Sequence, residues 1–211
     1  MSGPSSIVES RPSAWLLLGP TGSGKSPLGH ALAEHSGRYH LDFGQNLRSI
    51  AAGRGAIDLD VEQTAFISRL LEAGALFPDS AFPLAARIVR ALIDRYAAAR
   101  GVILNGIPRS VGQASEIESL LAIERVIVLD CPEPVVAQRV SQRRRGDSED
   151  HAHRSDDRPE DIRRKLHVYC AQTRPLVEWY RRRGTPIATL PVEATTTAEE
   201  LLARPELRAP K

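Results

Sequence analysis

Five short apolar runs punctuate the chain: WLLLG at 15–19, RYHLD at 38–42, VILNG at 102–106, RVIVLD at 125–130 and PIATL at 186–190. Each is too short for a helix, is rich in leucine or β-branched residues, and precedes a longer stretch with helical character. Near-continuous apolarity implies burial on both faces. The pattern therefore predicts an α/β fold, a five-stranded parallel sheet covered by helices and doubly wound. The longest helical stretches run over 81–99, 132–144 and 159–183, with Gly101 and Gly184 as stops after the first and last. Two segments do not fit the alternation. Residues 44–80 are helical with no strand, and 144–159, RRGDSEDHAHRSDDRP, is wholly polar, so both read as insertions. Residues 1–13, rich in Ser and Pro without periodicity, read as a flexible leader before one domain over 14–211.

With 211 residues, 42% hydrophobic and 26% charged, the composition excludes a collagenous, disulfide-stapled or largely disordered chain. No apolar run is long enough to span a membrane and the N-terminus lacks a signal-peptide core, so a cytoplasmic protein is expected. Cys131 and Cys170 have no metal-ligand spacing and read as idle thiols. The net charge of +2 gives no general field for nucleic acid or membrane, and aromatic residues to stack bases are few. The cations are lopsided, however: Lys25, Lys165 and Lys211 are the lysines among 28 basic residues, and all the others are arginine. A planar, permanently charged fork suits phosphate oxygens, which directs attention to phosphate sites.

One such site is explicit. Gly19-Pro20-Thr21-Gly22-Ser23-Gly24-Lys25-Ser26 matches G-x-x-x-x-G-K-[ST] between the first apolar run and a helical stretch. Glycines let successive N–H groups turn inward around an anion, and the following helix adds its positive end. Lys25 then reaches β/γ-phosphates and the Ser26 hydroxyl can ligate Mg²⁺. Pro27 is tolerated because first-turn N–H groups have no intrahelical partner.

Downstream motifs narrow the reaction. Asn105-Gly106-Ile107-Pro108-Arg109-Ser110 with Gln113 and Ala114 resembles the DGFPR-T-x-x-QA signature of adenylate kinases and related nucleoside monophosphate kinases. Phe43-Gly44-Gln45-Asn46-Leu47-Arg48 is similar to that family's TGDLLR segment. Pro132, Arg139 and Arg143 stand at family positions after the fourth run. Arg154, Asp156, Asp157 and Glu160, then Tyr169, Thr173, Pro175, Leu176 and Tyr180, resemble its lid and the helix that follows. The resemblance extends from Trp15 to about Leu202, with the motifs in family order.

The resemblance implies a phosphotransferase that moves the γ-phosphoryl of ATP to a nucleoside monophosphate, AMP above all, with Mg²⁺ as cofactor and a monomer as the working form. It implies a monophosphate-binding subdomain at 44–80 and a short lid at 144–159. The lid has no zinc-ligating cysteine, and His151 and His153 read as solvated. Gly19, Gly22, Ser23, Gly24, Lys25, Ser26 and Arg139 would hold ATP. Gly44, Arg48, Gly106, Arg109 and Gln113 would hold the acceptor, Gln113 reading its base. Arg143, Arg154 and Lys165 would join Lys25 and Arg109 around the transferring group, with Asp156 and Asp157 orienting the lid arginines. Arg144, Arg145, Arg181, Arg182 and Arg183 are expected to be solvated.

Four residues depart from the family pattern: Phe43 replaces a threonine, Lys165 an arginine, and Gln45 and Asn105 stand where aspartates are usual. With Ser26 on the metal, Gln45 and Asn105 are expected to act only through metal-bound water. The loss of two carboxylates predicts a weakened metal site. Two other readings follow from the same residues: a P-loop kinase of another small acceptor, and a nucleotide-binding module without turnover.

Overall fold

The computed structural model describes residues 11–55, 57–146 and 158–207. Five strands, β1 (Ser13–Leu18), β2 (Tyr39–Asp42), β3 (Val102–Asn105), β4 (Ala122–Asp130) and β5 (Ile187–Pro191), form one parallel sheet in the order β2-β3-β1-β4-β5. All five follow the apolar runs. The edges differ where polar residues conceal pairing. β1 begins at Ser13, inside the expected leader, because Ser13 pairs with Ala122. β4 starts three residues before Arg125, with a register shift between Ala14 and Trp15.

The pleat sends alternate residues to opposite faces. Leu16, Leu18, Leu41, Leu104 and Val126 enter one apolar cluster, while Leu17, Ile103, Ile127 and Leu129 enter another on the reverse side. The first cluster is covered by α2 (Phe43–Ala51), α3 (Val61–Glu72), α4 (Phe82–Arg95), α5 (Val111–Leu120) and α8 (Pro175–Arg182). Helices α1 (Lys25–Ser36), α6 (Glu133–Arg145) and α9 (Ala198–Leu202) close the second.

Two expected helices end differently. The 81–99 stretch stops at Arg95, and Tyr96 leaves it to stack on Tyr39 with ring centroids 3.8 Å apart. The 159–183 stretch divides into α7 (Pro159–Val168), a π turn over Tyr169–Thr173, and α8. Pro175 explains the break: it has no N–H and its ring collides with the carbonyl four residues back, and the widened turn accommodates it. In that turn the Arg174 N–H reaches back five residues to the Tyr169 carbonyl, at 2.8 Å.

His40 on β2 is a buried polar residue in this frame. Gly29 of α1 gives it room, since a Cβ there would lie 2.2 Å from Nε2, and the His30 ring meets it edge-on at 4.5 Å. Neither ring nitrogen has a hydrogen-bond partner. Burial pushes the imidazole pKa down to about 4, with Asp42 opposing the shift and His30 assisting it. His40 is therefore neutral when folded and protonates near 6.5 when unfolded, so stability falls as pH drops from 6.5 toward 4. By pH 5 the loss should reach about 2 kcal/mol. Comparing thermal midpoints of ligand-free wild type and His40→Leu at pH 7.5 and pH 5 checks this. The variant should lose less on acidification, and equal losses would assign the acid sensitivity elsewhere.

Candidate active site

The carboxyl ends of β2, β3 and β1 lie side by side on one edge of the sheet, the edge at which an open parallel sheet usually binds its ligand. The P-loop leaves β1 after Leu18 and enters α1 at Lys25. Its turn needs glycine: Gly22 and Gly24 have φ of +73° and +92°, and a Cβ on Gly22 would lie 2.7 Å from Val140 Cγ2. Ser23 is fully buried and donates to the Pro20 carbonyl at 2.9 Å, stiffening the loop. Lys25 Nζ lies on the carbonyls of Gly19 (2.8 Å) and Pro20 (2.6 Å), at the rim of the cradle. Pro27 falls in the first turn, where the Leu28 N–H already bonds to the Gly24 carbonyl.

Arg139 of α6 crosses over this loop. Its Nε donates to Gly22 O (3.0 Å), and Nη1 to the carbonyls of Glu193 (2.9 Å), Ala194 (3.3 Å) and Thr196 (2.8 Å). One guanidinium thus ties the P-loop to the segment between β5 and α9. On the same helix Arg143 is 5% exposed while its neighbours Arg144 and Arg145 face solvent. Arg181 and Arg182 pair with Glu178, and Arg183 with Glu118, all at the surface. In α7, Arg163 and Arg164 are exposed and Lys165 is half-buried, so Lys165 is the inward cation of that trio.

Gly106 follows β3 with φ of +92° and packs against the start of α2, its Cβ position 3.4 Å from Gly44 N. Arg109 Nε donates to the Gly106 carbonyl (2.9 Å), which fixes the plane of the guanidinium. The Arg109 backbone is held at both ends, its N–H by Gln113 Oε1 (2.8 Å) and its carbonyl by the Thr173 hydroxyl (3.0 Å). The π turn therefore touches the arginine segment directly. Gln113 is buried, and its Nε2 donates to the Phe77 carbonyl at 2.6 Å. Any reading of an acceptor base through this amide competes with bonds it already makes. Arg48 is half-buried on α2, near Gly44.

Gln45 and Asn105, alike in the sequence reading, are placed differently. The Gln45 residue is exposed, and what it contributes is its backbone N–H, donated to Asp42 Oδ1 at 2.9 Å. Asn105 is buried, its Nδ2 2.9 Å from Asp42 Oδ2 and 3.3 Å from Ser26 Oγ, and the Ser26 hydroxyl itself donates to Asp42 Oδ2 at 2.6 Å. Asp42 is the residue sequence reasoning missed. It ends β2 directly opposite Asn105 on β3, a juxtaposition that only the strand register reveals.

Ser26 Oγ, the Asp42 carboxylate and Asn105 Oδ1, which is buried with no hydrogen-bond partner, are all hard oxygen donors. That chemistry fits Mg²⁺. Among the described residues there is no group of three or more His, Cys, Asp or Glu that could hold a metal ion. Arg154, Asp156, Asp157, His151 and His153 lie outside the described residues. No helix among the described residues is long and apolar enough to cross a membrane.

The adenylate kinase family model matches residues 17–185. The chain is 35% identical over 178 residues to an adenylate kinase of Stenotrophomonas maltophilia, covering 81% of this chain and 86% of that protein. It is 32% identical over 202 residues to one from Methylobacterium nodulans, covering 90% and 95%. A third, from Kosmotoga olearia, is 30% identical over 212 residues, covering 86% and 94%.

Proposed function

The chain belongs to the adenylate kinase family of nucleoside monophosphate kinases, and from that premise we propose that it transfers the γ-phosphoryl of ATP to AMP with Mg²⁺ as cofactor, giving two ADP. The observation that carries this reading is the meeting of the donor loop with the acceptor strand. Ser26 Oγ and Asn105 Nδ2 are 3.3 Å apart, so the P-loop adjoins the strand that leads into Gly106 and Arg109.

In such a reaction the protein has little covalent work to do. Positioning two anionic substrates and neutralising their charge is the main task. Lys25 would exchange its loop carbonyls for donor phosphate oxygens. Arg48 and Arg109 would hold the acceptor phosphate, Arg109 with its plane set by the Gly106 carbonyl. Arg143 and Lys165, with Arg154, would line the path of the transferring group. Gln113 would reach an acceptor base by giving up its bond to Phe77. Mg²⁺, when bound with the nucleotide, offsets negative charge on the phosphates, and Ser26, Asp42 and Asn105 are the residues to hold it. We take 44–80 as the monophosphate-binding subdomain and 144–159 as the lid, in a monomer acting in the cytoplasm.

A coupled assay with ATP and Mg²⁺ against AMP, CMP, UMP, GMP and their deoxy forms tests the proposal. AMP should give the highest kcat/KM, with ADP as sole product. Saturable ATP binding with no turnover of any acceptor would instead support a nucleotide-binding module. Turnover of a different monophosphate would overturn the AMP assignment alone.

A further inference from the structure

Asp42 and Asn105 are separated by 63 positions in sequence yet face each other across β2 and β3, at the strand ends nearest the P-loop. The two oxygens of Asp42 have separate tasks. Oδ1 takes the Gln45 N–H and caps α2, which fixes the carboxylate in place. Oδ2 takes both the Ser26 hydroxyl at 2.6 Å and the Asn105 amide at 2.9 Å. An ionised carboxylate only accepts hydrogen bonds, so the Ser26 proton points at Asp42; of the two serine lone pairs, one faces the Asn105 amide at 3.3 Å and the other is left for a further partner. The same constraint turns the Asn105 NH₂ toward Asp42 and leaves its Oδ1 buried and without a partner.

We propose that Asp42 is the carboxylate that positions the divalent cation of bound ATP, an assignment that rests on the ATP-dependent reading above. It holds Ser26 as an oxygen donor and restores negative charge that the neutral side chains of Gln45 and Asn105 do not supply. Asn105 is a positioning residue that acts through Asp42, and its Oδ1 is an acceptor for cation-bound water. Relative to the family pattern, the charge sits one strand to the side at the same register: β2 carries the carboxylate and β3 the amide. Such outer partners of a metal are worth roughly ten- to a hundredfold in affinity.

The test is calorimetric binding of ATP to the full-length protein, once with excess EDTA and once with saturating Mg²⁺. Asp42→Asn should weaken binding of the Mg²⁺ complex by about ten- to a hundredfold. Metal-free ATP should bind the variant at least as well as wild type, because a like charge near the phosphates has gone. Asparagine still caps a helix, so α2 should persist. The double variant Asp42→Asn, Asn105→Asp returns a carboxylate to the neighbouring strand and should recover most of the loss. General damage would weaken both forms of ATP together, and the exchange would not repair it. An undiminished Mg²⁺ effect in Asp42→Asn, or no recovery in the exchanged variant, overturns the assignment. If Asp42→Asn does not fold, Asn105→Ala takes its place: it should lose part of the Mg²⁺ effect, and full retention overturns the assignment. Wild type that binds Mg²⁺·ATP and turns over AMP, beside an insensitive Asp42→Asn, fails this inference alone. Wild type that binds neither form of ATP fails the functional reading and this inference with it.

Discussion

Lys25→Ala is expected to abolish measurable phosphoryl transfer and to weaken ATP binding. The Lys25 ammonium sits at the rim of the P-loop on two backbone carbonyls, bonds that donor phosphate oxygens can replace with charge-assisted ones. Water entering in its place brings no net charge and would have to reorganise as charge shifts between phosphates. Loss of one preorganised donor at a transition state costs on the order of a hundred- to a thousandfold in kcat. Lys25→Arg should not rescue it, because the bulkier planar fork does not fit a loop that already closes on a point charge. Steady-state rates with a coupled ADP readout, beside ATP affinity from calorimetry, decide the matter. Unchanged turnover and affinity in Lys25→Ala would remove the donor-site assignment.

Arg109→Ala should act on the other substrate. The contacts that hold this segment in place are made by its backbone to Gln113 and Thr173, so the alanine variant keeps them and should fold normally. What disappears is the guanidinium that Gly106 orients. The expected outcome is a raised KM for AMP and a lowered kcat, together about 3 kcal/mol or roughly a hundredfold in kcat/KM, with ATP affinity nearly intact. A fall in ATP affinity without any change toward AMP would show that the arginine serves the donor instead.

The strands were legible because burial on both faces of a parallel sheet leaves uninterrupted apolar runs, and the P-loop because its glycines answer to backbone geometry rather than packing. The remaining features depend on contacts that no local pattern encodes. Ser13 and Ala122 carry no strand signal of their own, and pairing with each other makes them strand. The π turn before Pro175 was hidden by helical spacing on both sides of it, although the proline was visible. Asp42 depends on such a contact too. It stood beside the Phe43–Arg48 segment, but comparison with a family motif directs attention to motif positions, and its partner Asn105 becomes adjacent only after β2 and β3 pair in register. Gln45 and Asn105 share their side-chain chemistry, and burial separates them: one faces solvent, the other the interior.

The four carbonyls that Arg139 gathers have a consequence for where the catalytic unit ends. Three of them belong to the stretch between β5 and α9, so the stiffness of the phosphate loop near the start of the chain is set partly from near its other end. A fragment ending after α8 would keep every motif residue named above and still leave Arg139 with only the Gly22 carbonyl among those four. Much of the guanidinium would then face water instead of backbone, and the loop, still bonded to α6 through Gly22, would lose its tie to the segment between β5 and α9. The segment from β5 to α9 is accordingly architecture of the nucleotide cradle, a keystone laid late in the chain for an arch begun early.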